Sequence, residues 1–212
     1  MAKNERPELE NKHCIFLAIS GAGKSQAIKQ NKNIPVKGVR HVFFDPDKDH
    51  KVNFRTDNLN LFKNALIKGI KSKKGFRIAY SGKEDYEHFN LFCELVWAAL
   101  DGDYLLYITM EELSSSVDSS GKAKGRFADL LKRSRKYGGI LILCAQRGVE
   151  IPKTAYTQCK TKYLGQQDDY ELVNVAKRAG IKPELLQNLK PLEFVVKEIG
   201  QEPTLLKLKY KK

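Results

Sequence analysis

Residues 13 to 26 read HCIFLAISGAGKSQ: an apolar run, a glycine-rich bend, then a polar stretch. This order constrains the chain more than any other feature it contains. A buried strand runs into Ser20, Gly21, Ala22 and Gly23, and Lys24, Ser25 and Gln26 open a helix. In that arrangement consecutive backbone N–H groups can turn inward around an anion. Gly21 and Gly23 have access to backbone angles closed to other residues. The first helical turn adds unpaired N–H groups and partial positive charge. Residues 20 to 26 are therefore expected to cradle the phosphates of ATP, with Lys24 reaching the β- and γ-phosphates. The Ser25 hydroxyl is expected to ligate a bridging Mg2+. The usual pattern, GxxxxGK[ST], has glycine at the position of Ala18, and alanine is its smallest substitute.

The rest of the chain alternates short apolar runs with longer helical ones. Strands are expected at 13–19, 39–45, 76–80 and 104–110, at ILILCA (140–145) and near 159–164. Helices are expected at 24–31, 59–70, 84–100, 123–137 and 168–179, the fourth stopped by Gly138-Gly139. The end, EFVVKE-IGQEP-TLLKLKY, reads as an antiparallel hairpin. Apolar strands alternating with helices predict an α/β fold, a mostly parallel sheet with helices on both faces. With 212 residues the chain has room for one such domain. Its core is expected over about 13–165, with a helical and hairpin extension over about 166–212. Ligands of such sheets sit at the carboxyl ends of the strands.

Three further strand ends carry polar signals. LLYITM runs into Glu111-Glu112. Nucleotide hydrolysis needs an acid for the metal's shell and a carboxylate that activates water, so Glu111 is assigned to Mg2+ and Glu112 to the attacking water. Two acids opening a solvated loop are the plain alternative. Asp45-Pro46-Asp47 closes the second strand and reads equally well as a turn. Gln146 closes ILILCA, where it could bond the γ-phosphate or the lytic water, or simply end a strand. The basic helix offers Arg126 and Arg133 on one flank and Arg135 on the other. In a ring of subunits Arg133 or Arg135 could enter a neighbour's site and stabilise transition-state charge.

Composition narrows the partners. With 38 Lys and Arg against 25 Asp and Glu, the chain carries a formal charge of +13. Residues 24–40 and 61–80 hold basic residues and no acid, and 122–136 hold seven cations against Asp129 alone. An excess of this kind favours a polyanionic partner. Lys71, Lys73, Lys74 and the Ser114–Lys124 loop are candidate contacts, with a solvated surface as the alternative. No helix-turn-helix, zinc-finger or RNP signature points to sequence-specific recognition. Cys14, Cys93, Cys144 and Cys159 form no CxxC pair, so buried reduced thiols are expected rather than a zinc site. No apolar run is long enough to span a membrane, and the polar start lacks a signal-peptide core, so a cytosolic protein is expected.

Together the xxxGxGKS loop, the Asp-Pro turn, the strand ending in two acids and the later strand ending in Gln resemble the FtsK–HerA superfamily of DNA-pumping ATPases. The short chain is similar to the genome-packaging ATPases of tailless, internal-membrane double-stranded DNA viruses of the PRD1 and PM2 type. The resemblance implies a P-loop NTPase of RecA-like (ASCE) fold and a hexameric ring that moves double-stranded DNA without sequence specificity. It also implies an arginine finger acting between subunits, a capsid-vertex or membrane protein as partner, and a location in the host-cell cytoplasm or virion. The other readings are a filamentous-phage assembly ATPase of the zonula-occludens-toxin type, a small P-loop nucleoside or small-molecule kinase, and a non-catalytic nucleic-acid-binding protein.

Overall fold

The computed structural model describes residues 4–113, 117 and 121–211. The strands are β1 (Cys14–Leu17), β2 (Arg40–Phe44), β3 (Phe54–Thr56), β4 (Phe76–Tyr80), β5 (Leu106–Met110), β6 (Gly139–Ala145), β7 (Thr161–Leu164), β8 (Glu193–Glu198) and β9 (Thr204–Lys207). The helices are α1 (Lys24–Lys29), α2 (Leu59–Lys71), α3 (Tyr86–Ala99), α4 (Gly125–Arg133), α5 (Lys153–Gln158) and α6 (Asp169–Ala179). One sheet joins all nine strands in the order β3-β4-β2-β5-β6-β1-β7-β8-β9. The strands from β3 to β7 pair in parallel, while β8 and β9 pair antiparallel, which is the expected hairpin.

The period-two pattern hidden in the apolar runs sorts residues to two faces. Ile15, Leu17, Val42, Phe44 and Ile108 enter the larger core, beneath α2, α3, α4 and α6. Cys14, Phe16, Ala18, Ile142 and Cys144 enter the smaller one, beneath α1. Helix α3 shows how the larger layer is held. The Asp85 carboxylate accepts the His88 N–H at its amino end, and Phe89, Phe92, Cys93 and Val96 are its buried side. Phe89 and Phe92 meet Phe44 edge-on, at centroid distances of 5.3 and 5.4 Å. All four cysteines are buried thiols, and burial pushes Cys14 up to about 12.

Three local readings are corrected. The basic helix is shorter than expected: α4 ends at Arg133 and a 3-10 turn, Ser134–Tyr137, completes it before Gly138 takes a left-handed φ of 80°. Strand β3 and helix α5 were not anticipated. The first is a three-residue edge strand with no apolar run, and the second is a six-residue helix. The loop from Ser114 to Lys124 falls largely on residues 114–116 and 118–120, outside the described residues. Among the described residues no helix is long and apolar enough to cross a membrane.

Candidate nucleotide site

The bend after β1 has the backbone its sequence demands. Gly21 and Gly23 take φ values of 75° and 98°, and Gly23 caps α1 with no side-chain hydrogen bond. The φ of 98° is what calls for glycine at position 23; a Cβ there would also meet the Leu192 side chain, 2.6 Å from its Cδ2. Leu192 N donates to the Ala22 carbonyl at 2.9 Å, so the segment before β8 closes against the bend. Ala18 is fully buried, and Gly165 lies opposite it; a Cβ on Gly165 would stand 2.8 Å from Ala18 Cβ. A methyl group is thus accommodated at position 18 because the facing strand end has none.

Lys24 Nζ donates to the Ala18 carbonyl at 2.9 Å and the Ile19 carbonyl at 3.4 Å, which holds the ammonium inside the bend. Ser20 is exposed at the mouth. Ser25 Oγ donates to Asp49 Oδ2 at 2.7 Å. Gln26 is buried and turned the other way: its amide exchanges two hydrogen bonds with Lys211, donating to the carbonyl at 2.9 Å and accepting the N–H at 3.1 Å.

The parallel register carries the other strand ends to the same edge of the sheet. Glu112 follows β5 with a φ of 46°, a left-handed conformation that costs a non-glycine residue about 1–3 kcal/mol. Its Oε1 accepts from Gln146 Nε2 at 2.8 Å, joining the ends of β5 and β6. Burial is the largest influence on the Glu112 carboxyl and raises it above the ordinary range; Gln146 and Lys24 pull it back, and Glu111 and Asp47 push it further up. Glu111 is buried at 5% exposure, and its Oε1 lies 2.6 Å from His50 Nε2.

His50 and Asp49 were not found from sequence. Both belong to the turn after β2, which is built on the fully buried Asp45. The Asp45 carboxylate accepts the Asp49 N–H at 2.9 Å, the His50 N–H at 3.3 Å and Arg55 Nη1 at 2.7 Å. Arg55 also donates to the His50 carbonyl at 2.6 Å. The sequence signal was the spacing Asp45, Asp49, His50, one helical turn apart, behind an Asp-Pro pair already noticed.

The two candidate arginines lie elsewhere in their own subunit. Helix α4 runs from the carboxyl end of the sheet to its amino end, so Arg133 and Arg135 sit where the parallel strands begin. Arg133 is 68% exposed, 3.9 Å from Asp129. Arg135 donates to the Pro7 carbonyl at 3.0 Å and also to Leu9, tying down the amino-terminal arm. Arg147, beside Gln146, is paired with Glu171 at 2.7 Å and with Glu150.

Mg2+ takes oxygen ligands and usually keeps several waters, so one or two protein oxygens beside a triphosphate suffice. The Ser25 hydroxyl with a carboxylate next to it fits that requirement. Among the described residues no group of three or more His, Cys, Asp or Glu side chains could hold a metal without such a ligand.

No family model matches the chain. It is 33% identical over 162 residues to protein P9 of Pseudoalteromonas phage PM2, an alignment covering 75% of this chain and 70% of P9. The genome packaging NTPase B204 of Sulfolobus turreted icosahedral virus 2, solved with AMPPCP, superposes with a TM-score of 0.75 at 17% identity, covering 95% of this chain and 99% of that one. VirB4 of Thermoanaerobacter pseudethanolicus gives a TM-score of 0.71 at 14% identity, covering 95% and 90%. With the relation to P9, and a bend, paired acids and Gln146 all at one sheet edge, the chain belongs to the FtsK–HerA superfamily of P-loop ATPases, in the branch that holds PM2 protein P9.

Proposed function

We propose that this protein hydrolyses ATP to move double-stranded DNA, as the packaging motor of a viral genome. The observation that carries the reading is the hydrogen bond between Glu112 and Gln146. It ties the carboxyl ends of β5 and β6 together on the sheet edge that carries the bend, so the group that activates water and the group that reports on the γ-phosphate act as one unit. B204, which shares the fold, is a genome packaging NTPase solved with AMPPCP, ATP-gammaS and AMP.

In this mechanism the amides of residues 20 to 25 bind the β- and γ-phosphates, and Lys24 exchanges its two carbonyl partners for phosphate oxygens. Ser25, with an acid beside it, would hold Mg2+, which would supply neutralisation of the phosphate charge. Glu112 takes the proton of the attacking water while Gln146 orients the carboxylate. Arg133 is the exposed candidate for action on a neighbouring subunit in a ring, hexameric as in the superfamily reading; Arg135 would first have to release the amino-terminal arm. Lys71, Lys73 and Lys74, exposed at the amino end of the sheet, are proposed to meet DNA phosphates. A partner at the capsid vertex or the viral membrane, and a site of action in the host cytoplasm or virion, complete the reading.

The test is phosphate release with and without duplex DNA. The proposal expects stimulation by DNA of any sequence and its loss in Lys24→Ala. It also expects DNA affinity to fall steeply with salt, by roughly 1,000-fold or more between 50 and 200 mM if six or more phosphates are engaged. Release that ignores DNA would point instead to a small-molecule kinase or phosphatase.

A further inference from the structure

The sequence assigns the metal's carboxylate to Glu111, at the end of β5. The geometry points to a different residue: Asp49, from the turn after β2, is the carboxylate of the cation shell beside Ser25, and Glu111 is a positioning residue held by His50. This rests on the proposed nucleotide site and names the acid within it.

The Ser25 hydroxyl, in the first turn of α1, is suited to a hard divalent cation, and its hydrogen bond is already directed to a carboxylate. Oγ donates to Asp49 Oδ2 at 2.7 Å. A hydroxyl held this way keeps lone pairs free for a cation while its O–H points at the carboxylate. Asp49 is exposed, so its second oxygen is open to the water that Mg2+ retains. Glu111 is placed for a different task. It is 5% exposed, and one of its oxygens lies 2.6 Å from His50 Nε2. Withdrawing a buried carboxylate from such a partner would leave both groups without compensation.

Both arrangements come from a single device. Asp49 and His50 are consecutive, and their N–H groups are pinned by the same Asp45 carboxylate, at 2.9 and 3.3 Å. Asp45 is fully buried, and Arg55 bonds both its carboxylate and the His50 carbonyl. The turn therefore sends one side chain to Ser25 and the next to Glu111. The end of β2 forms a wall of the site that the motif at the end of β5 does not supply.

The experiment is equilibrium binding of a fluorescent non-hydrolysable ATP analogue, titrated with Mg2+ from an EDTA baseline. Wild type, Asp49→Asn, Glu111→Gln and Asp47→Asn would be compared, with folding checked by thermal melting. Asp49→Asn should raise the half-saturating Mg2+ concentration tenfold or more and leave the metal-free affinity unchanged. Glu111→Gln and the exposed control Asp47→Asn should stay within about threefold. A shift in Glu111→Gln with none in Asp49→Asn would restore the sequence assignment and overturn this one. Equal shifts in Asp49→Asn and Asp47→Asn would reduce Asp49 to a surface charge. If Glu111→Gln fails to fold, the contrast between positions 49 and 47 still decides. Wild type that binds no analogue with or without Mg2+ would overturn the nucleotide site itself, whereas Mg2+-dependent binding indifferent to Asp49 would overturn the present inference alone.

Discussion

The two ends of the parallel sheet differ in the charges they leave exposed. At the carboxyl end, four acids from the ends of β2 and β5 are fixed to named partners: Asp45 to Arg55, Asp49 to Ser25, Glu111 to His50 and Glu112 to Gln146. At the amino end, Lys71, Lys73, Lys74 and Lys132 are exposed. Fixed groups suit chemistry, which requires geometry set in advance. Exposed cations suit a partner recognised by its charge alone. On the proposed function, this contrast would separate where the protein reacts from where it holds DNA, and it can be broken from either side.

The largest effect is expected at the fixed end. Glu112→Gln should keep triphosphate affinity within a few-fold and lower turnover by about 100- to 10,000-fold, in single-turnover phosphate release. Undiminished turnover would remove the base from the account. Asp45→Ala should come next. It leaves the Arg55 guanidinium and two backbone N–H groups without their buried acceptor, and should cost about 3 kcal/mol in denaturant unfolding. A loss near zero would mean the turn holds itself without Asp45.

The amino end should fail in a different way, through acid. His13 is almost wholly buried: its Nδ1 accepts the Leu141 N–H at 3.1 Å, and Nε2 faces Ser134 Oγ at 3.4 Å. Burial first, and Arg135 second, lower it from the ordinary 6.5 to about 4. The unfolded chain therefore takes up the proton first as pH falls. Stability should be unaffected by this group above about 6.5 and decline between there and about 4, by about 3 kcal/mol in total. His13→Gln should flatten that part of the curve in urea titrations at stepped pH. The smallest effect is expected for Lys71, Lys73 and Lys74 changed together to Gln. DNA affinity should fall roughly tenfold and its salt slope should shrink, with metal-dependent nucleotide binding unaltered. Equal losses in both assays would erase the division between the two ends.

How much of this was legible in the sequence depended on distance along the chain. The bend at 18–25 is a contiguous instruction of glycine, lysine and serine between a strand and a helix, and its backbone is as expected. Glu112 and Gln146 could each be found as polar residues ending apolar runs, since parallel strands bring such ends to one edge. Asp49 and His50 left only their spacing after Asp45-Pro46, which does not give their roles, because those exist only once β2 and β5 lie side by side and Asp45 has bent the turn after β2. The flanks assigned to Arg126, Arg133 and Arg135 followed from helical phase, which is local. That Arg133 and Arg135 fall at the far end of the sheet followed from the direction of α4, which is not. Leu192 and Lys211 reach the phosphate bend from the other end of the chain, and no pattern in the sequence announces either contact.

The most direct measurement is a crystal structure of the chain with a non-hydrolysable ATP analogue and Mg2+. The account predicts the β- and γ-phosphates within the amides of residues 20 to 25, Lys24 Nζ moved from the Ala18 carbonyl onto phosphate oxygen, and Glu112 facing the γ-phosphate. A triphosphate bound elsewhere, with Lys24 still on the Ala18 and Ile19 carbonyls, would contradict it.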